Sequence, residues 1–212
     1  MAKIKTVLFD FDGVITNTEP QYDTFFDEIG EKYDLGHESF AAKIKGTTMT
    51  NVINNYLSHL PKEDVAKIIK ETEEFERNME FPPIEGALEF IDYLKEDGYK
   101  IGLVTSSQDF KMKIALDALS LTNVFHTEVT ANRITEGKPN PMCYLLAAKD
   151  LNTAVDECIV FEDSFFGIQA GLSAGMRVVG LSSTIHENEL KKVVDNVIPN
   201  FSDRQRLIKF LE

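Results

Sequence analysis

Four short stretches hold the residues most able to do chemistry. Asp10-Phe11-Asp12-Gly13 sets two carboxylates with one residue between them, close enough to share a reacting centre, and Gly13 lets the chain turn sharply past them. Thr105-Ser106 offers a hydroxyl and backbone N–H groups suited to holding a phosphoryl oxygen. Lys138, in Gly137-Lys138-Pro139, supplies a cation, and Glu162-Asp163 adds two hard oxygen ligands of the kind that bind Mg²⁺. Each stretch also has an ordinary reading. Asp-x-Asp-Gly is a common turn or weak cation loop, hydroxyl residues after a strand cap helices, loop lysines are mostly solvated, and Asp163 or Ser164 suits a helix N-cap.

The elements that must position these residues favour the chemical reading. Apolar, β-branched runs at Ile4–Phe9, Lys100–Thr105, Cys158–Phe161 and Arg177–Leu181, with a short one at Asn196–Ile198, read as strands buried on both faces. Asp10, Thr105 and Glu162-Asp163 fall at the carboxyl ends of three of them, the edge where open α/β sheets bind ligands. Helical periodicity lies between: Ala87 to Leu94, stopped by Asp97-Gly98, then Phe110 to Leu119, Met142 to Leu151, and the small-residue stretch Ile168 to Gly175.

From about Glu19 to Phe81 the alternation stops. Tyr22-Phe25-Phe26-Ile29, Val52-Ile53-Tyr56-Leu57 and Val65-Ile68-Ile69-Phe75 give amphipathic helices and no strand, and Pro82-Pro83 closes the stretch. The chain therefore reads as α/β: a doubly wound parallel-sheet core, residues 1–16 with 84–212, interrupted by a helical subdomain over 17–83. The hinge would lie near Thr16-Asn17 and Pro82-Pro83.

Bulk properties bound the partners. At 212 residues, 43% hydrophobic and 27% charged, the chain is neither disordered, collagen-like nor a disulfide scaffold. The formal charge is −13, and the stretch from Thr16 to Pro83, with 14 acidic and 7 basic residues, carries −7 of it. Such a field repels nucleic acid, and an anionic substrate must be drawn in by a metal ion or a buried lysine. No apolar run approaches a membrane span, the start lacks a signal peptide, and Cys143 and Cys158 fit core thiols in a reducing compartment. The expectation is a cytoplasmic monomer acting on a small molecule, without nucleic acid or membrane. His37, His59, His126 and His186 lack metal-ligand spacing, and the run Glu71 to Glu76 reads as a solvated helix face.

The order and placement of these motifs resemble the haloacid dehalogenase superfamily of Mg²⁺-dependent phosphohydrolases, whose four motifs match Asp10-Phe11-Asp12-Gly13, Thr105, Lys138-Pro139 and Glu162-Asp163. Lys45-Gly46, Gly137-Lys138-Pro139-Asn140-Pro141 and Glu162-Asp163-Ser164 resemble the helical-cap subgroup that contains β-phosphoglucomutase. The resemblance implies a Rossmann-like core with the helical stretch as its cap. It implies Asp10 as the nucleophile that becomes an aspartyl-phosphate and Asp12 as the general acid and base. Asp10, Asp163, Glu162 and the Asp12 backbone would form the Mg²⁺ site. Lys138 would bridge nucleophile and phosphate, Thr105 and Ser106 would complete the phosphoryl cradle, and Thr18, Tyr22, Lys45, Thr47 and Thr48 in the cap would choose the leaving group.

Asp12 argues against the dehalogenase and phosphonate-cleaving branches, which lack it. The resembling mutase has a cap arginine four residues after the cap lysine, where this chain has Met49, and a histidine where it has Tyr22. Methionine cannot replace a bidentate guanidinium. The expected activity is therefore a phosphatase acting on a small phosphorylated metabolite such as a sugar phosphate, with a sugar-phosphate mutase as the alternative. A receiver-like signalling domain has no use for the helical stretch, and a silent binding relative has no use for Asp12, Lys138 and Asp163 together.

Overall fold

The computed structural model describes residues 2–36 and 39–212, so His37 lies outside the described residues. In chain order the elements are β1 (Thr6–Phe9), α1 (Glu19–Lys32), α2 (Phe40–Ile44), α3 (Met49–Val52), α4 (Lys62–Asn78), α5 (Ala87–Glu96), β2 (Lys100–Val104), α6 (Asp109–Ala118), β3 (Thr127–Val129), α7 (Met142–Asp150), β4 (Cys158–Glu162), α8 (Phe165–Ser173), β5 (Arg177–Leu181), α9 (Glu187–Leu190), β6 (Asn196–Ile198) and α10 (Arg204–Leu211). A π-helical turn, Ile53–Leu57, continues α3.

Six parallel strands form one sheet in the order β3-β2-β1-β4-β5-β6. The chain builds outward from β1 to β2 and β3, then crosses back to β4 on the other side. The switch in direction lies between β1 and β4, and ligands of doubly wound sheets bind at the carboxyl ends there. Register makes this specific: Phe9 pairs with Phe161 of β4 and with Leu103 of β2. Extended by one residue, that register sets Asp10 level with Glu162, the last residue of β4, and with Val104, and Thr105 follows one residue further on.

Alternation along the strands divides the core between two faces. Val7, Phe9, Ile159 and Phe161 face α5, α6 and α10, where Phe9 stacks on Phe161 at 5.4 Å and Phe90 and Phe201 complete an aromatic cluster. Leu8, Val104 and Val160 face α7, α8 and α9, against Cys143, Tyr144 and Ile168. Both cysteines are buried and free. Both faces of β1 are thus packed, and the strand end that carries Asp10 has little room to shift.

The four helices between residues 19 and 78 pack around their own apolar cluster, with Phe26, Ile29, Phe40, Ile44, Leu57 and Ile68 at its centre. Two adjacent crossings tie them to the sheet. Asn17 N–H donates to Pro82 O at 2.8 Å and Ile84 N–H to Ile15 O at 2.8 Å, with an antiparallel bridge between Thr16 and Pro83.

Three expectations need correction. The first strand starts at Thr6 rather than Ile4. An edge strand, β3, was not expected: it is three residues long with Glu128 at its centre, too short for a periodic signal. The helix α10 was also missed, although Leu207 and Leu211 are buried one turn apart. Among the described residues, no helix is long and apolar enough to cross a membrane.

Candidate active site

Asp10 leaves β1 with its N–H bonded to Phe161 O at 3.0 Å, so the ladder itself aims the carboxyl. Its Oδ1 accepts from Lys138 Nζ at 2.6 Å. The same ammonium donates to Val104 O at 3.3 Å and makes a short bond to Glu162 Oε1, spending all three donors. Lys138 is almost fully buried. Burial works against its charge, but Asp10 and Glu162 outweigh that and hold the ammonium well above its ordinary range.

Glu162 is fully buried and saturated. Oε1 also takes the Tyr144 hydroxyl at 2.9 Å, while Oε2 takes the backbone N–H groups of Asp163 and Ser164 and the Ser164 hydroxyl at 3.1–3.2 Å. Asp163 is different: Oδ2 accepts a short bond from Thr184, and among the described residues no hydrogen bond reaches Oδ1. Among the described residues the second oxygen of Asp10 is equally without a protein donor. Gly13 permits this packing, with a φ of +76° and a position where a Cβ would stand 2.0 Å from Asp163 Oδ2.

Asp10, Glu162 and Asp163 bring one carboxylate oxygen each within 4.8 Å of one another. Burial raises the Asp10 carboxyl to about 8, with Lys138 opposing and Glu162 adding to the rise. Burial, with repulsion from Glu162, Glu19 and Asp10, holds Asp163 well above the usual carboxylate range. Two buried, mutually repelling carboxylates, each with an oxygen that takes no protein donor among the described residues, are a donor set that a Mg²⁺ ion fits. Glu162 has no free lone pair to offer such an ion and instead fixes Lys138 and the turn after β4.

Asp12 sits beside Asp10 in the wall of the same cavity. Thr18, just ahead of α1, donates to its Oδ1 at 2.5 Å. Thr105 Oγ1 accepts the Ser107 N–H at 3.0 Å, and the Ser106 hydroxyl reaches up to Gly46 O at 3.3 Å. Asp10, Asp12, Thr105 and Ser106 floor a cleft between the sheet edge and the four helices, whereas Thr18, expected to face the leaving group, is fully buried behind Asp12 and does not line it.

The helical wall contains Tyr22, Lys45 and Thr47, but Thr48 does not line the cleft. Its hydroxyl instead accepts the Asn51 N–H as the N-cap of α3. Lys45 is held by Glu19 at 3.0 Å and Asp23 at 2.7 Å. Tyr22 donates to Glu76 Oε1 at 2.8 Å. Glu73 and Glu76 also face the cleft, so the acidic run of α4 is only partly a solvated face; its apolar stripe turns these two inward. Burial raises the Glu76 carboxyl, with Lys111 opposing. Phe26, Ile44, Met49 and Val52 supply an apolar stretch of wall.

Sequence reasoning missed Ser107, Lys111, Tyr144 and Thr184. Lys111 had a signal, since it falls on the buried stripe of α6 with Met112, Ala115 and Leu116. A charge at such a position needs a partner.

The model of the haloacid dehalogenase-like hydrolases matches residues 7–181, which include every strand-end residue of this site. The chain belongs to that family. It is 28% identical over 192 residues to the phosphorylated carbohydrates phosphatase of Thermotoga maritima, covering 88% of this chain and 89% of that protein. It is 30% identical over 196 residues to the β-phosphoglucomutase of Bacillus subtilis, covering 84% and 83%. A crystal structure of a family IA, variant 3 haloacid dehalogenase-type hydrolase from Entamoeba histolytica superposes with a TM-score of 0.82 at 25% identity, covering 98% of this chain and 99% of that one. The chain is thus a hydrolase- or phosphatase-type member of the haloacid dehalogenase-like family, with the parallel-sheet fold described above.

Proposed function

We propose that this haloacid dehalogenase-like chain is a Mg²⁺-dependent phosphatase that hydrolyses a small phosphate monoester, a sugar phosphate, through an aspartyl-phosphate on Asp10. Asp10, Asp163 and the Asp12 backbone carbonyl would hold the ion, with Glu162 orienting them. Bound there, Mg²⁺ offsets the repulsion between a carboxylate nucleophile and an anionic ester.

An Asp10 oxygen attacks phosphorus as the ester P–O bond breaks, and Asp12 gives its proton to the departing oxygen. Water then loses a proton to Asp12, attacks the same phosphorus and releases phosphate from Asp10. Lys138 stays on Asp10 and faces the phosphoryl oxygens, and Thr105 and Ser106 supply further donors. The cap residues Tyr22, Lys45 and Thr47, which line the cleft, would border the leaving group.

The observation that carries the choice of phosphatase is the charge of the helical wall. Lys45 and Lys138 are the cations lining the cleft among the described residues, against Asp10, Asp12, Glu19, Asp23, Glu73, Glu76 and Asp163. Lys45 is already shared by two carboxylates, and Met49 stands in the wall. A mutase must grip a second phosphate, and among its described residues this wall has no spare cation to do it.

The test is phosphate release from a panel of sugar phosphates with Mg²⁺ and with EDTA, for wild type and Asp10→Asn. Conversion of β-glucose 1-phosphate with a bisphosphate primer runs in parallel. Metal-dependent release that Asp10→Asn abolishes supports the proposal; isomerisation without release replaces it by the mutase.

A further inference from the structure

Resting on the phosphatase reading above, we propose that Lys111 is the positioning residue of the general acid Asp12. Lys111 lies in the first turn of α6, and its side chain is completely buried. Its Nζ donates to both Asp12 oxygens at 2.6 Å and to Ser107 Oγ at 3.0 Å, so none of its three donors is left. Ser107 Oγ in turn donates to Asp12 Oδ2 at 3.0 Å and Thr18 to Oδ1 at 2.5 Å. All four lone-pair sites of the Asp12 carboxylate are therefore occupied, two of them by one ammonium. The only ion pair of Lys111 among the described residues is this one.

The surroundings fit a fixed support. The ammonium lies 4.8 Å from the Tyr22 ring centroid and 5.5 Å from that of Phe11, walls that limit where it can move. Phe11 is fully buried in the loop that carries Asp12, and Tyr22 belongs to the cap helix α1. A lysine on the core side is thus wedged between the catalytic loop and the cap.

The division of labour among the four contacts follows from donor chemistry. When Asp12 carries a proton, that O–H needs an acceptor. Thr18 and Ser107 are hydroxyls, which can rotate from donating to accepting, whereas an ammonium only donates. In the transfer step the proton passes from Asp12 to the ester oxygen, the ester P–O bond breaks with its electron pair going to that oxygen, and the Asp10–P bond forms. Lys111 keeps its contact to a carboxyl oxygen throughout, while the hydroxyl contacts exchange. Placement of the carboxyl, rather than substrate binding, is what Lys111 supplies.

The experiment is kcat/KM of Lys111→Met and Lys111→Arg on two esters: the best sugar phosphate and p-nitrophenyl phosphate, whose leaving group departs as a stable anion. Removing general-acid help typically costs about 100-fold or more, so Lys111→Met should lose on the order of 100-fold on the sugar phosphate and about tenfold less on the aryl ester. Lys111→Arg, which keeps the cation, should recover part of the selective loss. In an Asp12→Asn background, Lys111→Met should add little. Equal losses on both esters, or additive losses in the double variant, would overturn the assignment. Ser107→Ala carries the same ratio test if Lys111→Met does not fold, and a selective loss on the sugar phosphate is again expected. A wild type that cleaves neither ester would instead sink the phosphatase reading.

Discussion

Burial opposes the ionised state that the proposed mechanism asks of Asp10, and its pH behaviour shows how. As the proposed nucleophile and metal ligand it would have to be ionised, yet burial raises its carboxyl to about 8 and raises Asp163 as well. The folded metal-free chain therefore holds protons that the unfolded chain has already lost. Stability from these groups is present at acid pH and drains away as the pH rises from the ordinary carboxylate range toward about 8. In EDTA, the urea midpoint should fall between about pH 5.5 and about pH 8.5, and Mg²⁺ should restore more at the higher pH because the ligands are then deprotonated. Asp10→Asn should flatten the slope while keeping the fold, since an amide carries no charge to desolvate. A midpoint that rises with pH in EDTA would contradict the desolvation account. Asp10, Lys138, Glu162 and Asp163 were all legible in the sequence because each sits at a strand end or in a marked loop. For Lys111 the stripe of α6 signals burial but not the partner, because which loop that face meets is fixed by tertiary packing.

Elements decide whether the helical wall meets the sheet edge in register. The loop between α2 and α3 is the contact that matters: Gly46 has φ +77°, and its carbonyl accepts the Ser106 hydroxyl. A Cβ on Gly46 would lie 2.6 Å from Ser164 Oγ and 2.8 Å from Ser164 Cβ, at the N-terminus of α8. Gly46→Ala thus adds both a left-handed backbone strain of roughly 1–2 kcal/mol and a clash that lifts the loop from the core. Lys45 and Thr47 flank it, so their seat in the cleft moves with it. We expect kcat/KM on the best ester to fall by about tenfold or more while the thermal midpoint shifts by only a few degrees. Unchanged kcat/KM would mean that the loop does not have to seat on α8 for turnover. The sequence foretold helices here but not their junctions: α2 is one turn long and α3 passes into a π turn, too short for a 3.6-residue period to be read. The long strands and the helices α5, α6 and α7 were legible because their burial is one-sided or complete over many residues.

At the scale of the whole molecule the question is how a chain of net charge −13 handles an anionic substrate. Under the proposed mechanism buried Lys138 and the metal site would offset the charge of the transferred phosphate at the sheet edge, but the helical wall opposite leaves Glu73 and Glu76 facing the cleft and Lys45 bound by two carboxylates. A second anionic group on the leaving side meets repulsion rather than a clamp. At an effective dielectric of about 20, two like charges about 8 Å apart repel by about 2 kcal/mol, which is roughly thirtyfold in kcat/KM. Fructose 1-phosphate should therefore be preferred over fructose 1,6-bisphosphate by about that factor, and the gap should narrow as salt shortens the screening length. Glu19→Gln frees part of the Lys45 charge and should narrow the gap at constant salt, whereas Lys45→Met should widen it. Steady-state kinetics of both esters at two ionic strengths and fixed free Mg²⁺ give all of these ratios. A bisphosphate preferred at low salt, with the preference lost as salt rises, would show that the wall clamps a second phosphate and would put the mutase ahead of the phosphatase.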